Sequence, residues 1–376
     1  MNKNPLNAAK RVVIKIGSTL LVDQNSGNIH NSWLADLSHD INEIRASGAE
    51  IIVVTSGAIA AGRRHLGLEN EDLRLEESQA AAACGQIRLA HAYQSALEPH
   101  GLLIAQILLT IDDMDNRRRY LNARNTISAL LKLNSIPVIN ENDTIATSEI
   151  RFGDNDRLAA GVAAMMGADT LILLSADIDG LYTADPSLDS SAERIPFVER
   201  ITPEIEAMAG AAGSVDSSGG MVTKLIAARA AIAAGCNMAI ASGKGSRPLE
   251  RLINGGRATW FLATASPGRA RKHWISSVLQ PRGSLWIDKG ALNALISGKS
   301  LLPAGILEVE GKFERGDAIL VCNELGKEVG RGLSAYSASD AKLISGQKSQ
   351  EIERILGYCG RDEMIHRDDL VLEGER

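Results

Sequence analysis

Ile136-Pro-Val-Ile-Asn-Glu-Asn-Asp143 runs from four apolar residues straight into four polar ones, and Phe152-Gly-Asp-Asn-Asp156 follows close behind. Residues 136 to 139 read as a short buried strand, and at Asn140 turn chemistry takes over. A polar end on a buried strand is the ligand-binding edge of an open α/β sheet. Asp154, Asn155 and Asp156 then lead into Arg157-Leu-Ala-Ala-Gly-Val-Ala-Ala-Met-Met166, a good helix former. Carboxylates and free backbone N–H groups therefore meet at one helix N-terminus.

Working outward, the same alternation recurs. Arg11-Val-Val-Ile-Lys-Ile16 is a strand that stops at Gly17-Ser18, and Trp33, Leu34, Leu37, Ile41 and Ile44 fall on one face of a helix that Gly48 ends. Glu50-Ile-Ile-Val-Val-Thr55 is a second apolar strand, entering a helix through Ser56-Gly57-Ala58. An Ala-rich helix around 76–97, a strand at 103–109, a helix after Asp115 and a strand at 170–174 continue the pattern, with Asn237 to Ala241 as the last strand of this part. Such a β-α-β-α order predicts a mostly parallel open sheet sandwiched by helices.

From Gly283 onward the strands shorten and glycines crowd together, which reads as a small β-rich domain. Between the two parts, Lys244 to His273 holds seven Lys/Arg against the single acid Glu250, the signature of a linker with a basic face. The expected division is a large α/β domain over 1–262, a linker over 263–282 and the small domain with its tail over 283–376.

Composition removes several classes. With 376 residues and 45% hydrophobic content the chain can bury two cores, while only 3% aromatics favour closely packed helices on a sheet over an aromatic-rich β-sandwich. A net charge of −6 gives no general polyanion-binding signal. Cys84, Cys236, Cys322 and Cys359 have no paired spacing, and the seven histidines show no ligand spacing, so no metal ligands are assigned. No apolar run is long enough to span a bilayer, and the expectation is a cytoplasmic protein.

Lys15 lies inside an apolar strand and needs either an anionic partner or an exit to solvent. Ser217-Ser-Gly-Gly-Met-Val-Thr-Lys224 is a glycine-rich turn opening a helix, where free N–H groups, a helix dipole and a lysine can hold phosphates. Thr55-Ser56-Gly57-Ala58 is a third anion-binding junction. Gly298-Lys299-Ser300 mimics the end of a P-loop, but Asn293 stands where the first glycine is required. Two lysines, several acids and amides and three glycine-bearing helix entries suit phosphoryl transfer, which depends on positioning and charge neutralisation. A carboxylate acceptor, with a pKa of about 4.3, needs no general base.

Taken together, Val-Val-Ile-Lys-Ile-Gly-Ser (12 to 18), Val-Thr-Ser-Gly-Ala-Ile (54 to 59), the 136–143 and 152–156 stretches, Gly-Leu-Tyr-Thr-Ala-Asp-Pro (180 to 186) and Gly-Gly-Met-Val-Thr-Lys (219 to 224) resemble, in order, the glutamate 5-kinases of the amino acid kinase superfamily. Phe-Glu-Arg-Gly-Asp-Ala-Ile (313 to 319) and Val-Gly-Arg-Gly-Leu (329 to 333) look like the PUA domain often appended to them. The resemblance implies the amino acid kinase fold and ATP- and Mg²⁺-dependent phosphorylation of the γ-carboxylate of L-glutamate, the first step of proline synthesis.

By motif, Lys15 and Lys224 contact the ATP phosphates and Asp156 organises them. Ser56, Asn140, Asp143 and Asn155, with Asp154 beside them, bind glutamate. Ser175, Ala176 and the run Ser218, Gly219, Gly220, Met221, Val222, Thr223 and Lys224 line the nucleotide site. Feedback inhibition by proline and a homo-oligomer, dimer or tetramer, come with the family. Two positions depart from its pattern: Ser175-Ala176 stands where Thr-Asp is common, and Ser218 where threonine is usual. Asp143, beside neutral Asn140 and Asn142, suits the α-ammonium of free glutamate. The rival readings are a kinase for aspartate, acetylglutamate, carbamate or UMP, and an RNA-binding protein acting through the PUA domain. Twelve Lys/Arg against sixteen Asp/Glu over 283–376 argue against the last.

Overall fold

The structure is a computed structural model describing residues 4–68, 72–146, 155–211, 220–277, 279–358 and 360–373. It divides into two compact units, Met1–Asp115 with Asn122–Pro267, and Asn116–Leu121 with Gly268–Arg376.

The chain begins β1 (Arg11–Ile16), α1 (Ser18–Leu21), α2 (Asn31–Ala46), β2 (Glu50–Val54), α3 (Ala58–Arg63), α4 (Leu75–Leu97) and β3 (Leu103–Leu109). It continues α5 (Ile111–Asp115), α6 (Arg117–Lys132), β4 (Ser135–Glu141), α7 (Asn155–Met166) and β5 (Thr170–Ser175). A ribbon of β6 (Leu181–Tyr182) and β7 (Arg194–Ile195) leads to β8 (Phe197–Val198), α8 (Pro203–Ala211), α9 (Met221–Ala233), β9 (Asn237–Ser242), α10 (Pro248–Ile253) and β10 (Ala258–Phe261).

Eight of these strands form one sheet in the order β3-β4-β2-β1-β5-β9-β10-β8, parallel except where β10 runs against β9. Central strands of a sheet covered on both faces must be apolar throughout, and Val12, Val13, Ile14 and Ile16 of β1 are fully buried. The stripe read on α2 packs inward: Leu34, Leu37, Ile41 and Ile44 are buried, each contributing about 1.5–3 kcal/mol. Gly48 ends that helix at φ +94°, a conformation that favours glycine. Asp169 fixes the start of β1, its Oδ2 accepting from the backbone of Lys10 and Arg11 at 2.8 and 2.9 Å.

β1 sits between β2 and β5, with Lys15 level with Val54 on one side and Leu173 on the other. From β1 the chain moves toward β2, and from β5 toward β9. The connections leaving these two paired strands run in opposite directions, and that switch in strand order creates the crevice where open α/β sheets bind ligands.

The basic stretch after Gly243 holds more structure than its charge suggested. Ala258-Thr-Trp-Phe261 is a buried strand, so Asn237–Ser242 is not the last of the sheet. Short apolar runs hidden among glycines and arginines carry too little periodicity to be read as strands. In the segment expected as a linker, Pro267–Ser277 forms a helix, α11, whose Ile275 is buried with Ala318, Leu333 and Val371 of the second unit.

That unit continues with β11 (Gly283–Ile287), α12 (Lys289–Ile296), β12 (Ile306–Gly311), β13 (Ala318–Asn323), β14 (Glu328–Leu333), α13 (Ala338–Ile344), α14 (Ile352–Leu356) and β15 (Leu370–Leu372). Its five-stranded sheet has the order β12-β11-β13-β14-β15, closed over Leu285, Ile287, Ile319, Val321 and Met364. Asp288 caps α12 by accepting from Ala291 N at 2.7 Å.

Candidate active site

A cleft of about 630 Å³ opens where β1, β2, β4 and β5 end. Its centre is the start of α7, where two consecutive residues face different neighbours. Asp156, fully buried, places Oδ1 2.7 Å from Lys15 Nζ and Oδ2 3.2 Å from Lys224 Nζ. Burial works against its charged form, but the two ammonium groups outweigh burial and hold the carboxyl below its usual range. Lys15 therefore has the anionic partner that its strand position demanded, and snorkelling to solvent is not its solution. Lys224 arrives from the first turn of α9, entered at Gly220, whose carbonyl accepts from Thr223 Oγ1 at 2.7 Å.

Asn155 turns the other way. Its Nδ2 lies 2.7 Å from the carbonyl of Thr55, 2.9 Å from Ser56 Oγ and 2.9 Å from Asn140 Oδ1, joining the ends of β2 and β4. Asn140, only 2% exposed, also accepts from the backbone of Glu141 at 2.9 Å. Gly57, at φ +93°, turns the chain into α3, and that conformation favours glycine. Asp143 lines the same end of the cleft, and burial pushes its carboxyl up to about 6. At the far end Ser175 and Ala176 close β5, with Ser175 Oγ accepting from Asp177 N at 3.3 Å.

One end of the cleft is thus an ion-paired lysine couple and the other a cluster of amides and hydroxyls with the acids Glu141 and Asp143. Residues 10–242 match the amino acid kinase family, and residues 283–356 match the PUA domain. The glutamate 5-kinase of Paramagnetospirillum magneticum is 61% identical over 371 residues, covering 99% of this chain and 100% of that one. That of Rhodospirillum rubrum is 58% identical over 361 residues and 96% of each chain, and that of Agrobacterium fabrum 57% identical over 374 residues, covering 100% of this chain and 96% of that one. The chain belongs to the glutamate 5-kinase family.

Most of the residues singled out in the sequence meet in one place. Lys15, Ser56, Asn140, Asp143, Asn155, Asp156, Ser175, Ala176 and Lys224 all line one cleft. Asp154, Ser218 and Gly219 lie outside the described residues. Of the glycine-rich turn, Lys224 reaches the cleft, while Met221 is buried and Val222 is half exposed on α9.

The cleft also takes in residues that motif reading passed over: Thr19, Gln24, Arg63 and Asp177. Ile59, Ala60 and Arg63 share one face of α3 at i, i+3 and i, i+4 spacing, so helical geometry projected from Gly57 was the available signal for Arg63.

Proposed function

We propose that this cleft transfers the γ-phosphoryl group of ATP to the γ-carboxylate of L-glutamate, giving L-glutamyl 5-phosphate, the first step of proline biosynthesis. The observation that carries the assignment of roles is the Asp156 carboxylate held between Lys15 and Lys224, next to the Asn155 cluster. A carboxylate oxygen attacks the γ-phosphorus while the bond to the β-phosphate oxygen breaks, and ADP leaves. Both partners are anions, and the obstacle is their repulsion. Lys15 and Lys224, held close by Asp156, offset it and follow the negative charge as it moves to the leaving oxygen.

The amide cluster receives the amino acid. Ser56, Asn140 and Asn155 present donors and acceptors to its polar groups, and Asp143 accepts from its α-ammonium. Ser175, Ala176 and the 218–224 turn take the nucleotide. Mg²⁺ carried by ATP would supply further neutralisation of the phosphate charge. A hard cation that keeps most of its waters needs one or two carboxylates, and Asp177, which lines the cleft near Ser175 and Ala176, would offer one.

Steady-state turnover of ATP with glutamate, aspartate, N-acetylglutamate, carbamate and UMP tests the reading. Glutamate alone should support turnover, and hydroxylamine should trap the γ-hydroxamate. Equal turnover with N-acetylglutamate would remove the role given to Asp143.

Feedback inhibition by proline, a dimer or tetramer and a cytoplasmic location accompany this reading. Among the described residues no helix is long and apolar enough to cross a membrane. RNA binding by the PUA domain has one observation in its favour. The second structural unit adds seven Lys/Arg and no acid to residues 283–376, making nineteen cations against sixteen anions. A salt-dependent mobility shift of labelled RNA at micromolar protein tests it.

A further inference from the structure

Helix α4 reaches the amide end of the cleft from behind. Its Tyr93 is fully buried, and burial pushes the phenol well above its ordinary pKa, so the hydroxyl keeps its proton and acts as a donor. That hydroxyl donates to Thr55 Oγ1 at 3.0 Å. Thr55 is itself 2% exposed, precedes Ser56 directly, and offers its carbonyl to Asn155 Nδ2 at 2.7 Å. Two turns back along α4, Gln86 faces the other arm of the cluster. Its Nε2 lies 3.5 Å from the Glu141 carbonyl, next to Asn140, and its Oε1 accepts from Gln106 Nε2 at 3.2 Å.

The two helices leave no room to slide. A Cβ on Gly62 of α3 would fall 1.8 Å from the Ala81 carbonyl oxygen of α4, and one on Gly85 of α4 would fall 1.7 Å from that of Ala58. The backbones are in contact, so α4 carries α3 and the Ser56–Gly57 turn at its start.

We propose that Tyr93 is a positioning residue for the amino-acid substrate: through Thr55 it sets Ser56 and Asn155, and so sets the affinity for glutamate without touching either substrate. This rests on the assignment of Ser56 and Asn155 to the glutamate half of the cleft. A residue that only fills the core would affect stability and leave both Michaelis constants alone.

Tyr93→Phe keeps the ring and removes the hydroxyl. The glutamate KM should rise about five- to tenfold, the factor expected for one lost buried hydrogen bond, with the ATP KM within about twofold of wild type. Thr55→Val should reproduce the effect, Thr55→Ser should restore wild-type behaviour, and the Tyr93→Phe/Thr55→Val double variant should be no worse than either single one. Should Tyr93→Phe fold poorly, the Thr55 variants carry the test.

A lowered melting temperature with unchanged glutamate KM overturns the proposal. So does a parallel rise in both Michaelis constants, or additivity in the double variant. Ser56→Ala is the reference: if it raises the glutamate KM and Tyr93→Phe does not, only the positioning role falls. If Ser56→Ala also leaves it unchanged, the half-site assignment falls with it.

Discussion

The two ends of the cleft solve opposite problems with opposite means. At the end proposed for phosphate, three charges from positions 15, 156 and 224 are packed together, Asp156 and Lys224 buried and Lys15 largely so, with Asp156 holding both lysines within 3.2 Å. At the end proposed for glutamate, neutral groups predominate, Asn155 touching Thr55, Ser56 and Asn140 within 2.9 Å. Phosphate needs charge, and charge in a buried site must be balanced before the substrate arrives. An amino acid needs orientation, which amides give at a smaller desolvation cost. Consecutive residues at the start of α7 serve one end each, so the two half-sites are fixed to one rigid element.

The strongest way to break this contrast is to remove the charge that balances the lysines. Asp156→Asn leaves two buried ammonium groups adjacent and should lower kcat by about a thousandfold, while destabilising the fold by about 3–5 kcal/mol. Because the Asp156 carboxyl titrates below its usual 3.8, its stabilisation is present above that value and is lost as the pH falls through the lowered one. The gap in melting temperature between wild type and variant should therefore be full near neutrality and shrink in strong acid. A gap that persists unchanged in acid would remove the ion pair as its cause.

Next in size is a lysine itself. Lys224→Met should reduce kcat about a hundredfold or more, with a change in glutamate KM below about fivefold. A large rise in glutamate KM with kcat intact would place Lys224 in the other half-site.

Asp143→Asn acts on the glutamate end and should raise the glutamate KM about ten- to a hundredfold while the ATP KM moves by less than about twofold. Burial raises the Asp143 carboxyl to about 6, and the α-ammonium needs its ionised form. In the wild type the glutamate KM should climb as the pH falls below about 6, approaching tenfold per pH unit, and the variant should be flat over the same range. A pH profile shared by both proteins would assign that titration to another group.

The contrast also explains what could be read in advance. Strands β1, β2, β4 and β5 each carry an apolar run that ends in glycine or polar turns, and such strands announce themselves in a single sequence. Lys15 and Asp143 stood out because charge at the end of an apolar run needs a reason. Tyr93 and Gln86 did not, since an aromatic and an amide in a long Ala-rich helix look like ordinary core and surface until tertiary packing brings Thr55 and Glu141 to them. Arg63 was hidden for the same reason, at the end of a short helix and next to Arg64. Strand β15, three residues long, is held by β14, and β10, set in a basic stretch, by β9 and by the distant β8.

The smallest effect tests the edge of the nucleotide end, where Ser175-Ala176 departs from the threonine and aspartate common in the family. Ser175 Oγ accepts from Asp177 N at 3.3 Å, a long bond that shapes the turn after β5. If the nucleotide is held there mainly by backbone groups, Ser175→Ala should raise the ATP KM only about two- to threefold and leave the glutamate KM unchanged. Ala176→Asp, which restores the common residue, should alter the ATP KM by a similarly small factor. A tenfold loss in Ser175→Ala would mean the hydroxyl bonds the nucleotide directly. The phosphate end would then depend on a neutral side chain as well as on its lysines, and the division between charge at one end and orientation at the other would no longer hold.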